Sequence, residues 1–148
     1  MIYTIGFTQK SAETFFETIK SNNIQAVIDV RLNNKSQLAG FAKGRDLEYF
    51  LKEICGSQYF YEPQFAPSKE LLDKWHKKEI SWDEYTEEYI KTISMRKAER
   101  IFDVRYSSLE NVCLLCTEPT IENCHRRLLA EYLVEKSDSI KGSEVKHI

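Results

Sequence analysis

The chain has 148 residues, 42% of them hydrophobic and 30% charged, which is enough for one domain with a real core and too apolar for a disordered segment. With 21 basic against 23 acidic residues the formal net charge is -2, which argues against a partner held by bulk electrostatics, nucleic acid above all. No apolar run approaches the roughly 18 residues of a membrane span, and Met1–Ile5 lacks the basic opening of a signal peptide. The expectation is a cytoplasmic protein with no membrane contact, whose four cysteines are reduced thiols.

Strand-like and helix-like segments alternate, the pattern of a parallel α/β sheet. Ile2–Ile5 is a short β-prone run closed by Gly6. Ala12, Phe15, Phe16 and Ile19 recur at helical spacing and predict a helix over 11–22, with Ser11 as N-cap and Glu13 in its positive first turn. Ala26–Val30 is a continuous apolar run, as for a strand covered on both faces. Residues 32–45 read as a long loop. Leu47, Phe50, Leu51 and Ile54 form a second helical stripe ended near Gly56, and Tyr59–Tyr61 a third strand stopped by Pro63. Pro67-Ser68 opens a helix. Ser81 and Glu84 make a capping box for another, predicted to reach about Phe102 behind the apolar face of Trp82, Tyr85, Tyr89 and Ile93. Val112–Cys116 is the most hydrophobic run and the expected central strand. Asn123 is the expected cap of a last helix with Leu128, Leu129, Tyr132 and Leu133 on its apolar face, and Val145–Ile148 a final short strand. The expected architecture is a single α/β domain over residues 1–148: a mostly parallel sheet of about five strands with helices on both faces.

The chemistry-bearing residues gather after the central strand. Cys116-Thr117-Glu118 ends it, and Cys124-His125-Arg126 opens the next helix. In open α/β sheets ligands bind outside the carboxyl ends of the strands, and a helix N-terminus favours an anion. One strand–loop–helix unit thus brings together two thiols, a carboxylate, an imidazole and a guanidinium. Cys116 or Cys124 is a candidate nucleophile, with His125 or Glu118 for proton transfer and Arg126 to hold an anion. The plain alternatives are a core role for Cys113 and Cys116 and a structural bridge from Arg126 to Glu118. Asp29 and Arg31, two apart at another strand end, share a face and offer either a ligand contact or a loop-pinning ion pair. Gly6 closes the first strand where a ligand or another backbone can approach, and Ser36 is a further candidate contact. If Cys124, His125 and Arg126 form a ligand site, they are expected to be partly accessible.

A zinc knuckle from Cys113, Cys116, Cys124 and His125 is disfavoured, because positions 113 and 116 of one strand face opposite ways. No phosphate loop or dinucleotide fingerprint is present, so neither cofactor nor metal is expected. The leading expectation is an enzyme or binding protein for a small phosphate- or carboxylate-bearing molecule, a nucleotide among them. The alternatives are a nucleic-acid module that stacks bases on Tyr59, Tyr61, Trp75 and Trp82, with charge against it, and a non-catalytic domain in which the cluster is a structural knot.

Thr4-Ile5-Gly6-Phe7-Thr8, Ile28-Asp29-Val30-Arg31 followed by Ser36 and Phe41, Ala66-Pro67-Ser68, Leu114–Glu118, Cys124-His125-Arg126 and Val145–Ile148 run in the order of a domain-of-unknown-function family, DUF488, which the whole chain resembles. The resemblance implies a small α/β domain and the position of a site, and implies no reaction. The family's first motif has His then Ser after the glycine, where this chain has Phe7 and Thr8.

Overall fold

The computed structural model describes residues 1–35 and 39–148, so Ser36 lies outside the described residues. Ile2–Gly6 forms β1, Ala26–Asp29 β2, Gln58–Tyr61 β3, Val112–Cys116 β4 and Val145–His147 β5. All pair in parallel, in the order β3-β2-β4-β1-β5. Every residue of β1, β2 and β4 is buried, and the less apolar β3 and β5 take the edges.

The α-helices among the described residues are α1 (Ala12–Ser21), α2 (Gly44–Phe50), α3 (Lys69–His76), α4 (Trp82–Met95), α5 (Ala98–Tyr106) and α6 (His125–Lys136). Strand alternation sends Tyr3, Ile5, Val27, Cys113 and Leu115 to one face, where Phe15, Phe16, Ile19 and Leu47 of α1 and α2 cover them. Ile2, Ile28, Val112, Leu114 and Cys116 face the other way, beneath Tyr85, Tyr89, Phe102, Leu129 and Leu133 of α4, α5 and α6. The α/β architecture with helices on both faces is therefore as expected.

Three local expectations need correction. The helix predicted to run from Ser81 to Phe102 breaks at Lys97, whose φ of 54 is left-handed. Tyr85, Tyr89 and Ile93 are buried four apart; the series then restarts at Ala98, Phe102 and Tyr106, one residue out of phase, so a continuous helix would have turned Lys97 into the core. The stretch expected to be loop holds a 3-10 turn at Gly40–Ala42 and the start of α2. That helix widens into a π turn over Leu51–Cys55, which leaves Ile54 41% exposed and ends at Gly56 with φ 68. Finally, α6 is entered through Cys124, not Asn123, and no side chain caps it. No helix among the described residues is long and apolar enough to cross a membrane.

Candidate functional site

The register aligns Gly6 with Cys116 and Asp29 with Leu115, so the carboxyl ends of β1, β2 and β4 share one edge. A crevice of about 390 Å³ opens there. Arg31, Cys116, Glu118, Cys124 and His125 line one side of it, and Leu72, Trp75 and Tyr85 from α3 and α4 the other. A cleft of similar size between α3 and α4 is walled by Glu70, Glu84, Glu87 and Glu88 and holds none of the thiols.

Cys116 sits where β4 ends and the chain turns. The Cys124 sulfur lies within 4.8 Å of that of Cys116, and this neighbour, the backbone N–H groups of Thr117 and Glu118 and nearby Arg126 hold the Cys116 thiol below its ordinary pKa against the burial that pushes it up. The same neighbour, with burial, pushes the Cys124 thiol up, so the pair favours ionisation at Cys116 over Cys124. Arg126 is 1% exposed. Its Nη1 donates to the Glu118 carbonyl at 2.6 Å and to Cys124 Sγ at 3.2 Å, and its Nε has no partner. Among the described residues no carboxylate pairs with it. A buried cation is costly without a counter-charge, and the groups beside it able to take a negative charge are the thiols of Cys124, which it touches, and Cys116. The bridge expected between Arg126 and Glu118 exists, but to the backbone carbonyl; the Glu118 side chain faces solvent.

His125 is fixed by a 2.9 Å contact from Nε2 to the Val30 carbonyl, in which the ring must donate, and by Tyr89, edge-on at 5.4 Å. Cys116 Sγ is 3.7 Å from both ring nitrogens. A sulfur equidistant from both at that range lies over the ring face, off the line of either nitrogen. His125 therefore shields and positions the sulfur and is badly aimed to take its proton.

Asp29 is fully buried and spent on its neighbours. Its Oδ1 accepts from the Arg31 backbone N–H and Nε, and its Oδ2 from Arg31 Nη2 at 2.6 Å and Tyr59 Oη at 2.6 Å. Arg31 Nη2 also donates to the Ala42 carbonyl, so the pair does pin the loop before α2. One arm is left over: Arg31 is 2% exposed, lines the crevice, and its Nη1 has no partner among the described residues. Phe7 lies under the guanidinium, its ring centre 5.0 Å from Cζ.

Gly6 admits a backbone. A Cβ there would stand 1.7 Å from the Glu118 carbonyl oxygen, so the loop after β4 crosses directly over it. Thr8 ties the same loop down: its hydroxyl donates to the Thr117 carbonyl at 2.7 Å.

Of the residues expected at the site, Arg31, Cys116, Glu118, Cys124 and His125 thus line the crevice, while Gly6, Asp29 and Arg126 stand behind its wall. The expected accessibility of Cys124, His125 and Arg126 is corrected, since all three are under 7% exposed. The first turn of α6 is pressed between the sheet and α4, and Cys124, Leu128 and Leu129 lie in the core cluster with Tyr89. Sequence reasoning missed Phe7, Thr8, Leu72 and Tyr85. Of the aromatics proposed to stack bases, Trp82 stacks on Tyr85 at 4.8 Å, Tyr59 bonds Asp29 and Tyr61 donates to the Leu32 carbonyl, while Trp75, beside Trp82 and Tyr85, lines the crevice.

The two sulfurs and a ring nitrogen of His125 lie within 4.8 Å of one another, a donor set that could hold a metal with one position open. It differs from the knuckle weighed from the sequence, since Cys113 faces the opposite side of the sheet. The fit is poor: Nε2 is committed to Val30, and the ring presents a face to the Cys116 sulfur, not a lone pair.

The fold and site together define a parallel-sheet α/β protein with a dithiol crevice at its strand ends. The family described as "Domain of unknown function DUF488" matches residues 11–133, and the chain belongs to that family. Among curated proteins and among solved structures nothing matches.

Proposed function

We propose that the crevice binds a small molecule carrying a carboxylate or phosphate and that the protein acts on it through Cys116 as nucleophile. The observation that carries this is the buried Arg126 guanidinium, with no carboxylate paired to it among the described residues, beside two thiols that line a ligand-sized cleft, the Cys116 thiol being held below its ordinary pKa. The unpartnered Nη1 of Arg31 and the uncapped first turn of α6 favour an anion next to that sulfur. Glu118, on the rim, takes or returns a proton. Leu72, Trp75 and Tyr85 would receive a flat apolar portion, which suits an aromatic carboxylate or a nucleotide.

The test is alkylation of the folded protein at pH 7 by iodoacetate, an anion, and iodoacetamide, its neutral counterpart. Free cysteine favours the neutral reagent. Cys116 is expected to be the first site carboxymethylated and to shift the preference toward iodoacetate at least several-fold, with the shift lost in Arg31→Lys, which keeps the charge beside Asp29 but not the second arm. Equal labelling of Cys116 and Cys113, or no sensitivity to Arg31, would sink the proposal.

A further inference from the structure

The nucleophile has a second thiol against it. The Cys124 sulfur lies within 4.8 Å of the Cys116 sulfur, with a ring nitrogen of His125 within the same distance of both. Both line the crevice wall, one ending β4 and one entering α6, with the seven residues 117–123 between them. Cys55 and Cys113 have no such neighbour: the Cys55 sulfur meets the Phe16 carbonyl at 3.5 Å, and that of Cys113 only the adjacent Leu114 carbonyl at 4.0 Å. A lone nucleophile has no use for a second buried thiol beside it.

We propose that Cys116 and Cys124 are a two-electron dithiol centre, Cys124 being the resolving thiol, and that the substrate class is a small disulfide bearing a carboxylate. This rests on the crevice reading above and names its substrate. Cys116 sulfur attacks the nearer sulfur of the substrate; the disulfide bond breaks, the far half leaves as a thiolate, and a mixed disulfide forms on Cys116. Cys124 then loses its proton to that departing thiolate and attacks the Cys116 sulfur, expelling the second half as a thiolate that takes its proton from solvent. The substrate is reduced to two thiols, and the protein is oxidised to a Cys116–Cys124 disulfide. A second low-molecular-weight thiol, in excess, resets the pair by the reverse exchange.

Three features fit this order of events. The first attack falls to the sulfur that lines the cleft and whose thiol is held below its ordinary pKa. The Arg126 Nη1 contact to Cys124 at 3.2 Å stabilises the second thiolate as it forms. The loop that must flex is fastened by only a few bonds, from Thr8, Arg126 and Arg127.

The experiment incubates the full chain with oxidised glutathione at neutral pH, quenches with acid and maps thiols by peptide mass spectrometry. The expected product is a Cys116–Cys124 disulfide in the wild type, reversed by reduced glutathione, and a stable glutathione adduct on Cys116 in Cys124→Ser. In Cys116→Ser neither forms and Cys124 stays free. Cys124→Ala serves as the second variant should the serine not fold, with the same adduct expected. A persistent Cys116 adduct in the wild type, with no internal disulfide, overturns the dithiol centre while leaving Cys116 as the nucleophile. An unmodified Cys116 that still reacts with iodoacetate overturns the substrate class alone. Inertness to both reagents removes the nucleophile and this inference together.

Discussion

Two cysteines three residues apart on β4 experience opposite environments. Cys113 points toward α1 and α2, into a layer built from Phe15, Phe16, Ile19 and Leu47, and burial pushes its thiol far up. Cys116 points toward α4 and α6 and is as deeply buried, yet its thiol is held down by a neighbouring thiol, two backbone N–H groups and a guanidinium. Burial alone does not decide reactivity; what matters is whether the buried atom is offered donors and an opposite charge. The sheet makes this separation for free, since an odd offset along a strand changes the face. The α1–α2 face is left to hold the fold, and the α3–α6 face carries both core and the cysteine-lined crevice.

The largest test of that contrast is removal of the counter-charge. Arg126→Met is expected to cost about 3 kcal/mol in urea unfolding, the lower end for breaking a buried pair, because it strands no carboxylate and a thiol left beside it can stay neutral. That is a large share of a stability of roughly 5–15 kcal/mol. Cys113→Ala removes only one methyl-sized buried group and should cost about 1 kcal/mol. Equal costs for the two variants would mean that Arg126 is not balancing a charge. Gly6→Ala comes next. Its Cβ cannot coexist with the Glu118 carbonyl, so the loop must lift, at about 2 kcal/mol by the scale of overpacking. Iodoacetate labelling should then be slower at Cys116 and unchanged at Cys55. A neutral Gly6→Ala would show that the loop over β1 is slack.

The sheet and its ligand edge were legible because each rests on local pattern. Apolar runs ending in Gly6, Val30 and Cys116 mark three strand ends, and the right faces for Cys113 and Cys116 follow from alternation alone. The opposite fates of Asp29 and Arg126 were not legible, since they depend on contacts made across the chain. Asp29 is saturated by Tyr59, thirty positions on, and Arg126 is buried by a loop crossing Gly6, more than a hundred positions back. His125 looked like a base by residue type. Only the Val30 carbonyl, 95 residues away in sequence, turns its ring so that it faces the sulfur with its flat side. The break at Lys97 was available in principle, because the spacing from Ile93 to Ala98 is five where the preceding spacings are four.

The smallest effect expected concerns the two ends of α6. Its first turn has no side-chain cap and faces the dithiol, whereas its last turn is tied down: the Asp103 carboxylate accepts from the Ser137 hydroxyl and from the backbone N–H groups of Asp138 and Ser139. Partial burial would raise the Asp103 pKa, but the Ser137 and Ser139 hydroxyls and those backbone groups outweigh it and bring it down to about 2. A carboxylate depressed in the folded state contributes stability that is fully present above its unfolded value of about 3.9 and is lost as the pH falls through about 2. Asp103→Asn is therefore expected to be less stable than the wild type by under about 1 kcal/mol at pH 7, the site being largely screened by solvent. The gap should stay constant down to about pH 5 and then close as the wild type protonates. Unfolding curves of the two proteins from pH 7 to pH 2.5, together with iodoacetate labelling of Cys116 at pH 7, separate the ends of the helix. Closing of the stability gap with labelling unchanged would show that the C-terminal anchor and the thiol end act independently. A gap undiminished at pH 2.5 would show that Asp103 contributes through shape and not through its charge. Slower labelling in Asp103→Asn would show that the helix transmits loosening along its length, and the division of α6 into an anchored end and a reactive end would fail.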